Sequence, residues 1–165
     1  MKPALLATLS YSARAIALVS WVSQYTRLAP AWRALWRAYQ TFYDVNLGEA
    51  VFATTWARLL GADEPMFALG AFDADGRLLG IVHAILHRSC WSIGPSCYLQ
   101  DLFTAADARG RGVGRALIDA VCARARQAGA RRVHWLTHET NATARALYDQ
   151  VAVNAGFIQY SKELD

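Results

Sequence analysis

A glycine- and arginine-rich segment is the part of the sequence whose residue types most directly suggest chemistry. It reads Arg109-Gly110-Arg111-Gly112-Val113-Gly114, and Arg115 follows it. Glycines let a backbone approach a ligand closely and adopt positive φ angles. The unpaired N–H groups at the start of a following helix attract anions, and the arginines add positive charge. The segment therefore predicts a cradle for a pyrophosphate, with a tight turn carrying solvated arginines as the alternative.

Two common phosphate-binding patterns do not fit this segment. A Walker loop requires GxxxxGK[ST], and no Lys-Ser or Lys-Thr pair follows the glycines. A dinucleotide fingerprint requires GxGxxG after the first strand. Here the third glycine comes one residue early, and the segment follows the fourth predicted strand. The segment is therefore neither a Walker loop nor a dinucleotide fingerprint.

The elements that must position this segment alternate between strand and helix patterns. Apolar residues at three- and four-residue spacing predict helices from Pro30 to Tyr43, over Glu49–Leu60, from Gly114 to about Ala128, and from Asn141 to about Ala155. Strands are predicted at Val19–Arg27, Met66–Phe72, Leu78–His87, Cys97–Thr104, Arg132–Thr137 and Phe157–Lys162. The resulting order, β-α-α-β-β-β-α-β-α-β, indicates an α/β (α+β) protein with helices packed on a mixed sheet.

Composition limits the classes of protein that remain. The chain has 165 residues, of which 55% are hydrophobic and 18% charged, so it predicts one folded domain and excludes a disordered chain. We divide it into an N-terminal extension of unclear role (residues 1–18) and a domain over residues 19–165. No apolar run is long enough to predict a transmembrane span. Three cysteines without a CxxC pair favour a reduced, cytoplasmic protein.

Three segments together resemble the GNAT superfamily of N-acetyltransferases. Arg109, Gly112 and Gly114 match its [Q/R]-x-x-G-x-[G/A] pattern, Tyr98-Leu-Gln-Asp-Leu-Phe-Thr104 precedes it, and Asn141-Ala-Thr-Ala-Arg-Ala-Leu-Tyr148 follows it. The resemblance extends from about Val19 to the C-terminus and is greatest to the yeast histone- and polyamine-type and diamine acetyltransferases. It implies a mixed, mostly antiparallel central sheet of six to seven strands with helices on both faces.

The resemblance also implies acetyl-CoA as the acetyl donor and assigns residues to it. The backbone of Leu102, Phe103 and Thr104 would pair with the pantetheine arm like an added strand. The segment from Arg109 to Arg115 would hold the pyrophosphate, namely Arg109, Gly110, Arg111, Gly112, Val113, Gly114 and Arg115. Asn141 would hydrogen-bond the cofactor arm, and Tyr148 would lie beside the thioester sulfur. Seven residues separate Asn141 from Tyr148, which places them on one helix face, although a helix cap and a core tyrosine explain the same two residues.

The implied reaction is direct attack of a primary amine on the thioester. A lysine-like amine has a pKa of about 10.4 and is therefore almost fully protonated at neutral pH. The site must remove a proton from the amine or select its neutral form. Tyr148 is the candidate acid for the departing thiolate. The candidate bases are Asp101 and Glu139, either of which could act through water. Gln100 stands where related diamine enzymes carry glutamate, and it cannot accept a proton.

Substrate selection is expected in the region of the first two helices. Tyr39, Phe42 and Tyr43 offer aromatic faces to a cation, and Asp44 and Glu49 offer carboxylates. We also place Gln100 at the substrate. A polyamine, an amino acid and a lysine of a basic peptide all remain open as acceptors. The four histidines lack metal-ligand spacing, so no metal is expected.

Partners follow from charge and from the C-terminal strand pattern. The net charge is +4, and the only lysines are Lys2 and Lys162. Because the arginines are mostly scattered, we expect neither nucleic acid nor a membrane as partner. The chain stops soon after the strand predicted at Phe157–Lys162, and a bare sheet edge invites pairing, so we expect a homodimer. The rival functions are a non-catalytic acyl-CoA-binding regulatory module and a nucleic-acid-binding domain.

Overall fold

The computed structural model describes residues 7–9, 16–20 and 25–164. The chain divides into two compact units, Met1–Trp135 and Leu136–Asp165. In chain order, the first unit contains the strands β1 (Ala7–Leu9) and β2 (Ile16–Ser20) and the helices α1 (Tyr25–Phe42) and α2 (Glu49–Leu60). The strands β3 (Met66–Phe72), β4 (Leu78–His87) and β5 (Ser96–Thr104), helix α3 (Val113–Gln127) and strand β6 (Val133–His134) follow. The second unit contains helix α4 (Ala142–Val151).

The six strands form one sheet in sequence order, from β1 to β6. All neighbours pair antiparallel except β5 and β6, which are parallel. Strands β3 and β4 are buried along most of their length because helices cover both faces. A short turn joins them, in which Asp73 Oδ1 accepts hydrogen bonds from the N–H groups of Asp75 and Arg77. This hairpin forms the centre of the sheet.

The helices of the first unit cover opposite faces of the sheet. Trp32 and Trp36 of α1 and Phe52 of α2 pack in one core cluster with Ile81 of β4. On the other face, a Cβ at Gly80 would lie 2.8 Å from Cγ1 of Val113, at the start of α3. Successive strand residues point to opposite faces, so Gly80 and Ile81 mark the two layers. The missing side chain at Gly80 lets α3 approach β4 closely.

A β-bulge interrupts the pairing of β4 with β5. His83 pairs with Asp101, whereas the next residue, Ala84, pairs with Leu99, so Gln100 is the extra residue on β5. A bulge of this kind changes which residues of a strand share a face. His83 and Asp101 therefore stand opposite each other next to the bulge.

The parallel pairing of β5 with β6 is short. It joins Cys97 to Val133 and Tyr98 to His134. Beyond Tyr98, no strand among the described residues pairs with β5 on that side. The main-chain groups of β5 from Leu99 to Thr104 therefore form a free edge within the part of the chain that the structure describes.

Several predicted element boundaries are wrong. The strand expected at Val19–Arg27 is β2, which ends at Ser20, and α1 already begins at Tyr25, so Pro30 lies inside the helix. Proline lacks the N–H that a helix interior needs, and we had used it to mark the first turn. Strand β1 and the start of β2 lie within the segment that we separated as an N-terminal extension.

The predicted C-terminal elements are also shorter than expected. The strand predicted at Arg132–Thr137 is only Val133–His134, and helix α4 ends at Val151 rather than near Ala155. The segment Phe157–Lys162 is not a strand. Its apolar side chains are exposed, with Phe157 and Tyr160 each 87% accessible. Its strand-like pattern therefore did not lead to pairing, because a strand needs a hydrogen-bonded partner as well as a suitable sequence.

Candidate active site

The glycine segment joins β5 to α3 through two residues with positive φ. Gly110 has φ 71° and Gly112 has φ 81°, a region that only glycine enters readily. Gly112 is the N-cap of α3, and the first helical hydrogen bond runs from the N–H of Ala116 to its carbonyl. The N–H groups of Val113 and Gly114 precede that bond and point out of the helix end. A Cβ at Gly110 or Gly112 would meet no atom within 4 Å, so the segment is open to a ligand.

Arginine side chains give this segment its charge. Arg109 and Arg111 are exposed, and Arg115 lies half-buried in the first turn of α3. Arg109 Nε donates to the carbonyl of Thr104 at 3.4 Å, and its guanidinium lies 5.8 Å from the centre of the Phe103 ring. The preceding acidic residue, Asp107, makes an ion pair with Arg77 at 2.6 Å, which lowers the pKa of that carboxyl. The negative charge of Asp107, two residues before Arg109, is therefore paired with Arg77.

The predicted pantetheine-binding residues lie on the free edge of β5. Leu102, Phe103 and Thr104 pair on one side with Val82, Ile81 and Gly80 of β4, and all three are half-buried. Their other edge lacks a strand partner in residues 25–164, as described above. Extended ligands with amide groups can add to such an edge as a further strand.

On the α1 face of the sheet, Asp101 makes a hydrogen-bonded pair with a buried histidine. His83 Nδ1 lies 2.8 Å from Asp101 Oδ2, and His83 Nε2 accepts a hydrogen bond of 2.8 Å from Trp32 Nε1. The Asp101 side chain keeps 14% of its accessibility, whereas that of His83 keeps 3%. The carboxylate therefore lies at the rim of the core, in contact with solvent on one side.

Two tyrosines of α1 extend this site towards the surface. The pKa of Tyr39 is raised far above its usual value, first by burial, then by the negative charge of Asp101 and by hydrogen bonds with Tyr43 and Asp101. The rings form a row in which Tyr39 lies 6.1 Å from Phe103 and 5.0 Å from Tyr43, and Tyr43 lies 5.0 Å from Phe42. Phe42 is 57% exposed. An aromatic row thus leads from the surface to a carboxylate, an arrangement that suits an ammonium group.

The other residues expected at the substrate lie around this row. Asp44 is exposed and adopts a positive φ of 54° immediately after Tyr43, and Gln100 is exposed at the bulge. Glu49 makes ion pairs with Arg33 and Arg37 at the surface, and these lower its pKa. Its charge is therefore partly compensated by these arginines, and its contact with a cationic substrate stays a prediction.

The second unit contains the remaining candidates. Asn141 caps α4, because its Oδ1 accepts a hydrogen bond of 3.2 Å from the N–H of Ala144. Tyr148 is half-buried two turns further along the same helix. Glu139 is exposed, and its carbonyl accepts a hydrogen bond from Arg145. The cap leaves the side-chain N–H₂ of Asn141 as its donor group.

The sequence profile of the acetyltransferase (GNAT) family matches residues 30–152. This chain belongs to that family. It is an acyltransferase that moves an acetyl group to an amine, and members of the family use acetyl-CoA as the donor. The family membership confirms the predicted family and activity, and it decides against the non-catalytic binding module and the nucleic-acid-binding domain as the primary function.

Individual relatives agree with this assignment. The D-amino-acid N-acetyltransferase HPA3 of Saccharomyces cerevisiae (strain ATCC 204508 / S288c) is 34% identical to this acetyltransferase over 133 residues, which are 80% of this chain and 83% of that protein. The ribosomal-protein-alanine N-acetyltransferase from Brucella melitensis biovar Abortus 2308 shares its fold with a TM-score of 0.71 at 24% identity, covering 92% of this chain and 100% of that one. AAC(6')-Iy, solved with a bisubstrate analogue of CoA, gives a TM-score of 0.76 at 18% identity over 91% and 99% of the two chains. The α+β GNAT fold is thereby confirmed.

Sequence reasoning missed two residues of this acetyltransferase's site, His83 and Trp32. We had considered the histidines as candidate metal ligands and had given Trp32 no role in the site. The available signal was His83, a polar residue in the middle of the apolar strand Leu78–His87 and a position that is only 2% exposed. Buried polar groups need partners, but the pairing with Asp101 depends on the bulge, which the sequence did not reveal.

The three cysteines of the described residues are free, with Cys90 exposed and Cys122 half-buried. Cys97 is buried, and burial raises the pKa of its thiol to about 11, so it stays protonated near neutral pH. No cluster of three or more His, Cys, Asp or Glu side chains occurs between residues 28 and 164. None of the described helices has both the length and the apolar character needed to cross a bilayer.

Proposed function

We propose that this acetyltransferase transfers the acetyl group of acetyl-CoA to the primary amine of a small substrate, with an amino acid as the first candidate. The observation that carries the proposal is the aromatic row of Phe42, Tyr43 and Tyr39, which ends at the carboxylate of Asp101. The 34% identity to a D-amino-acid N-acetyltransferase supports an amino acid over a polyamine or a basic peptide.

Acetyl-CoA would bind along β5 and at the start of α3. The residues present fit such a ligand, since the β5 edge offers main-chain donors and acceptors and the segment around Gly112 has open space at the helix end. Leu102, Phe103 and Thr104 would pair with the pantetheine amides. The N–H groups of Val113 and Gly114, together with Arg109 and Arg111, would hold the pyrophosphate.

Asp101 would act as the base. The attacking amine must lose a proton, because a lysine-like ammonium with a pKa of about 10.4 is almost fully charged at neutral pH. Asp101 accepts a hydrogen bond from His83 and lies beside Tyr39, and its partial exposure leaves room for the amine or for one bridging water. Glu139 is the alternative base; its full exposure gives it less control over the proton than Asp101 has.

Tyr148 would protonate or hydrogen-bond the departing thiolate, and Asn141 would donate its side-chain N–H₂ to the cofactor arm. A phenol has a pKa of about 10, and the thiol that is formed from the departing thiolate has a pKa of about 8.5. The two values are close enough for the phenol to donate a proton or a hydrogen bond to the thiolate. The support is the seven-residue spacing on one helix, with the polar residue at its N-cap. The carbonyl oxygen of the thioester would take a backbone N–H of β5 as its donor while negative charge develops.

We further propose that the enzyme works in the cytoplasm as a homodimer. The three cysteines are free, as a reducing compartment requires. After α4, the second unit exposes a run of large apolar side chains, which a second copy could cover: Val153, Phe157, Ile158, Tyr160 and Leu164. Sedimentation at micromolar concentration tests this, and a monodisperse monomer would contradict it.

Thiol release from acetyl-CoA tests the proposed substrate class. The panel contains L- and D-amino acids, polyamines, aminoglycosides and a basic peptide, each with a control lacking the acceptor. We expect the highest kcat/KM with an amino acid. A higher kcat/KM with a polyamine or the peptide would show that this compound, rather than an amino acid, represents the substrate class. If no amine is acetylated, the proposal is overturned.

Tyr148→Phe tests the acid in the same assay. Loss of the phenol proton should lower kcat by about tenfold or more while the affinity for CoA stays within about twofold of wild type. Tyr160→Phe is the matched control, because that tyrosine lies in the exposed C-terminal segment. Unchanged kcat in Tyr148→Phe would remove its assigned role.

A further inference from the structure

Three side chains from three elements form a continuous hydrogen-bonded series that ends at the proposed base. Trp32 of α1 donates to His83 of β4, and His83 contacts Asp101 of β5, whose charge acts in turn on Tyr39 of α1. Trp32 and His83 are only 1% and 2% exposed. The series thus runs from the closed core outward to the carboxylate that faces the aromatic row.

The donor at the inner end decides the direction of every bond in the series. An indole N–H only donates, so His83 Nε2 must be the acceptor from Trp32. The proton of the neutral imidazole is then on Nδ1 and is donated to Asp101 Oδ2. Trp32 therefore selects the histidine tautomer that gives the carboxylate a donor. With the other tautomer, a lone pair on Nδ1 would face the carboxylate.

The same geometry prevents His83 from acting as a proton carrier. Its Nε2 lone pair is committed to the indole N–H at 2.8 Å, and its Nδ1 proton to Asp101. Trp36 packs edge-on against the ring at 5.7 Å, which restricts rotation of the imidazole. A histidine held in this way orients its neighbour and does not exchange protons with a substrate.

We infer that His83, with its tautomer set by Trp32, is a positioning residue for Asp101. Through its Nδ1–H it holds Oδ2, so that the carboxylate keeps one orientation toward the acceptor amine. This inference rests on the proposed function, in which Asp101 is the base. It assigns part of the rate to two residues that lie in the core and touch neither coenzyme nor acceptor in that proposal.

Substitutions at His83 separate positioning from packing. In His83→Asn, the amide N–H₂ replaces Nδ1–H and can still donate to Asp101, while Trp32 loses its acceptor. In His83→Gln, the longer side chain offers its carbonyl to Trp32, while the donor to Asp101 is lost. In His83→Leu, both bonds are lost. If His83 has a purely structural role, activity follows stability, and His83→Gln is more active than His83→Asn. If His83 positions Asp101, His83→Asn is more active than His83→Gln.

The measurement is kcat for the best acceptor, with KM, the CoA dissociation constant and the melting temperature of each variant. We expect His83→Asn to retain kcat within about threefold. His83→Gln and His83→Leu should lose about tenfold, less than the roughly 10²-fold or more expected when a base is removed. Affinity for CoA should not change. Equal kcat in the Asn and Gln variants, or kcat that follows melting temperature, would overturn the inference.

A pH–rate profile adds a readout that packing alone does not move. The groups facing Asp101 are His83 from β4, Tyr39 and Tyr43 from α1, and Tyr98 on β5, whose pKa is raised by burial and by the charge of Asp101. Loss of the Nδ1–H donor should move the acid limb of kcat/KM to higher pH in His83→Gln, and not in His83→Asn. An unmoved acid limb in His83→Gln would overturn the inference.

Asp101→Asn, assayed in parallel, distinguishes failure of the inference from failure of the proposed function. If Asp101→Asn keeps full activity, the base assignment falls and the positioning role falls with it. If Asp101→Asn is inactive while the His83 variants do not separate, only the positioning role falls. ¹⁵N NMR of the wild-type imidazole needs no variant: Nδ1–H is the expected tautomer, and an Nε2–H tautomer would overturn the inference even if no His83 variant folds.

Discussion

The two ends of the proposed site are built in opposite ways. The segment from Arg109 to Gly112 is exposed, and the proposed site there relies on the main-chain N–H groups at the start of α3, which two glycines with positive φ bring forward. The Asp101 site relies on side chains from α1, β4 and β5, most of them buried. A main-chain site is encoded by a short local motif, whereas a side-chain site is encoded by residues that are far apart in the sequence. The first should therefore tolerate changes of side chain and fail on a change of backbone, and the second should behave in the reverse way.

The largest effect is expected when the side-chain site loses its carboxylate. Asp101→Asn keeps the shape but cannot accept the amine proton, so kcat should fall by roughly 10²-fold or more. CoA affinity, measured by calorimetry, should stay within about twofold because the pyrophosphate site is separate from Asp101. Asp75→Asn, an exposed carboxylate of the β3–β4 turn, is the control and should match wild type. A loss of CoA affinity in Asp101→Asn would erase the contrast between the two ends.

The main-chain site should fail when its backbone conformation is blocked. Gly112 has φ 81°, and an L-residue there costs about 1–2 kcal/mol. Gly112→Ala should weaken CoA binding by about tenfold, which corresponds to 1.4 kcal/mol, and leave kcat at saturating acetyl-CoA near wild type. Gly48→Ala is a matched control, because Gly48 also caps a helix but has φ −72° and open space around its Cβ. If both variants bind CoA like wild type, the N–H groups at the start of α3 are not what holds it.

Removing arginine side chains from the same segment should have a smaller effect. Arg109 and Arg111 are exposed, and salt screens exposed charges over about 10 Å at 0.1 M. The double variant Arg109→Ala/Arg111→Ala should weaken CoA binding several-fold at low salt, and the difference from wild type should shrink at 0.5 M salt. Calorimetry at the two ionic strengths measures both. A loss that is as large as in Gly112→Ala and independent of salt would show that the side chains, rather than the backbone, carry recognition.

The smallest effect is expected at His134, which lies in the sheet outside both ends of the proposed site. It concerns the pH dependence of folding stability rather than that of activity. Burial, then the charges of Arg132 and His87, lower the pKa of His134 on β6. The folded state therefore disfavours the protonated form, and stability is lost as the pH falls below the ordinary histidine value of about 6.5. His134→Gln should lose less stability than wild type between pH 7.5 and 5 in chemical denaturation. Equal losses would contradict the assigned shift.

Features encoded by a short stretch of sequence were predictable, whereas features that depend on distant residues were not. Three elements were predicted with the bounds that the structure has, because their local sequence pattern and their burial agree. They are the strands Met66–Phe72 and Leu78–His87 and the helix Glu49–Leu60, and the glycine segment was also predicted correctly. The elements at both termini were misplaced: Pro30 masked the earlier start of α1, and the pattern of Phe157–Lys162 says nothing about whether a partner strand exists.

The site was only partly predictable for a related reason. Asp101, Tyr39 and Tyr43 were named from residue type and resemblance, and the structure brings those three together. His83 and Trp32 are separated from Asp101 by 18 and 69 positions, and nothing local connects them. The pairing of Glu49 with Arg33 and Arg37 was not predicted, because it depends on how α1 and α2 pack. Side-chain partners across elements are a property of tertiary structure, which one sequence does not display.

The extra residue at Gln100 lengthens β5 without changing which of its side chains face the helices. Ala84 pairs with Leu99 and His83 with Asp101, so the bulge takes up one residue while Leu99 and Asp101 stay on opposite faces, as neighbours in a regular strand would. Deleting Gln100 would therefore restore regular pairing and leave Asp101 opposite His83. Residues can be gained or lost at this one position of the strand without turning the carboxylate away from its histidine.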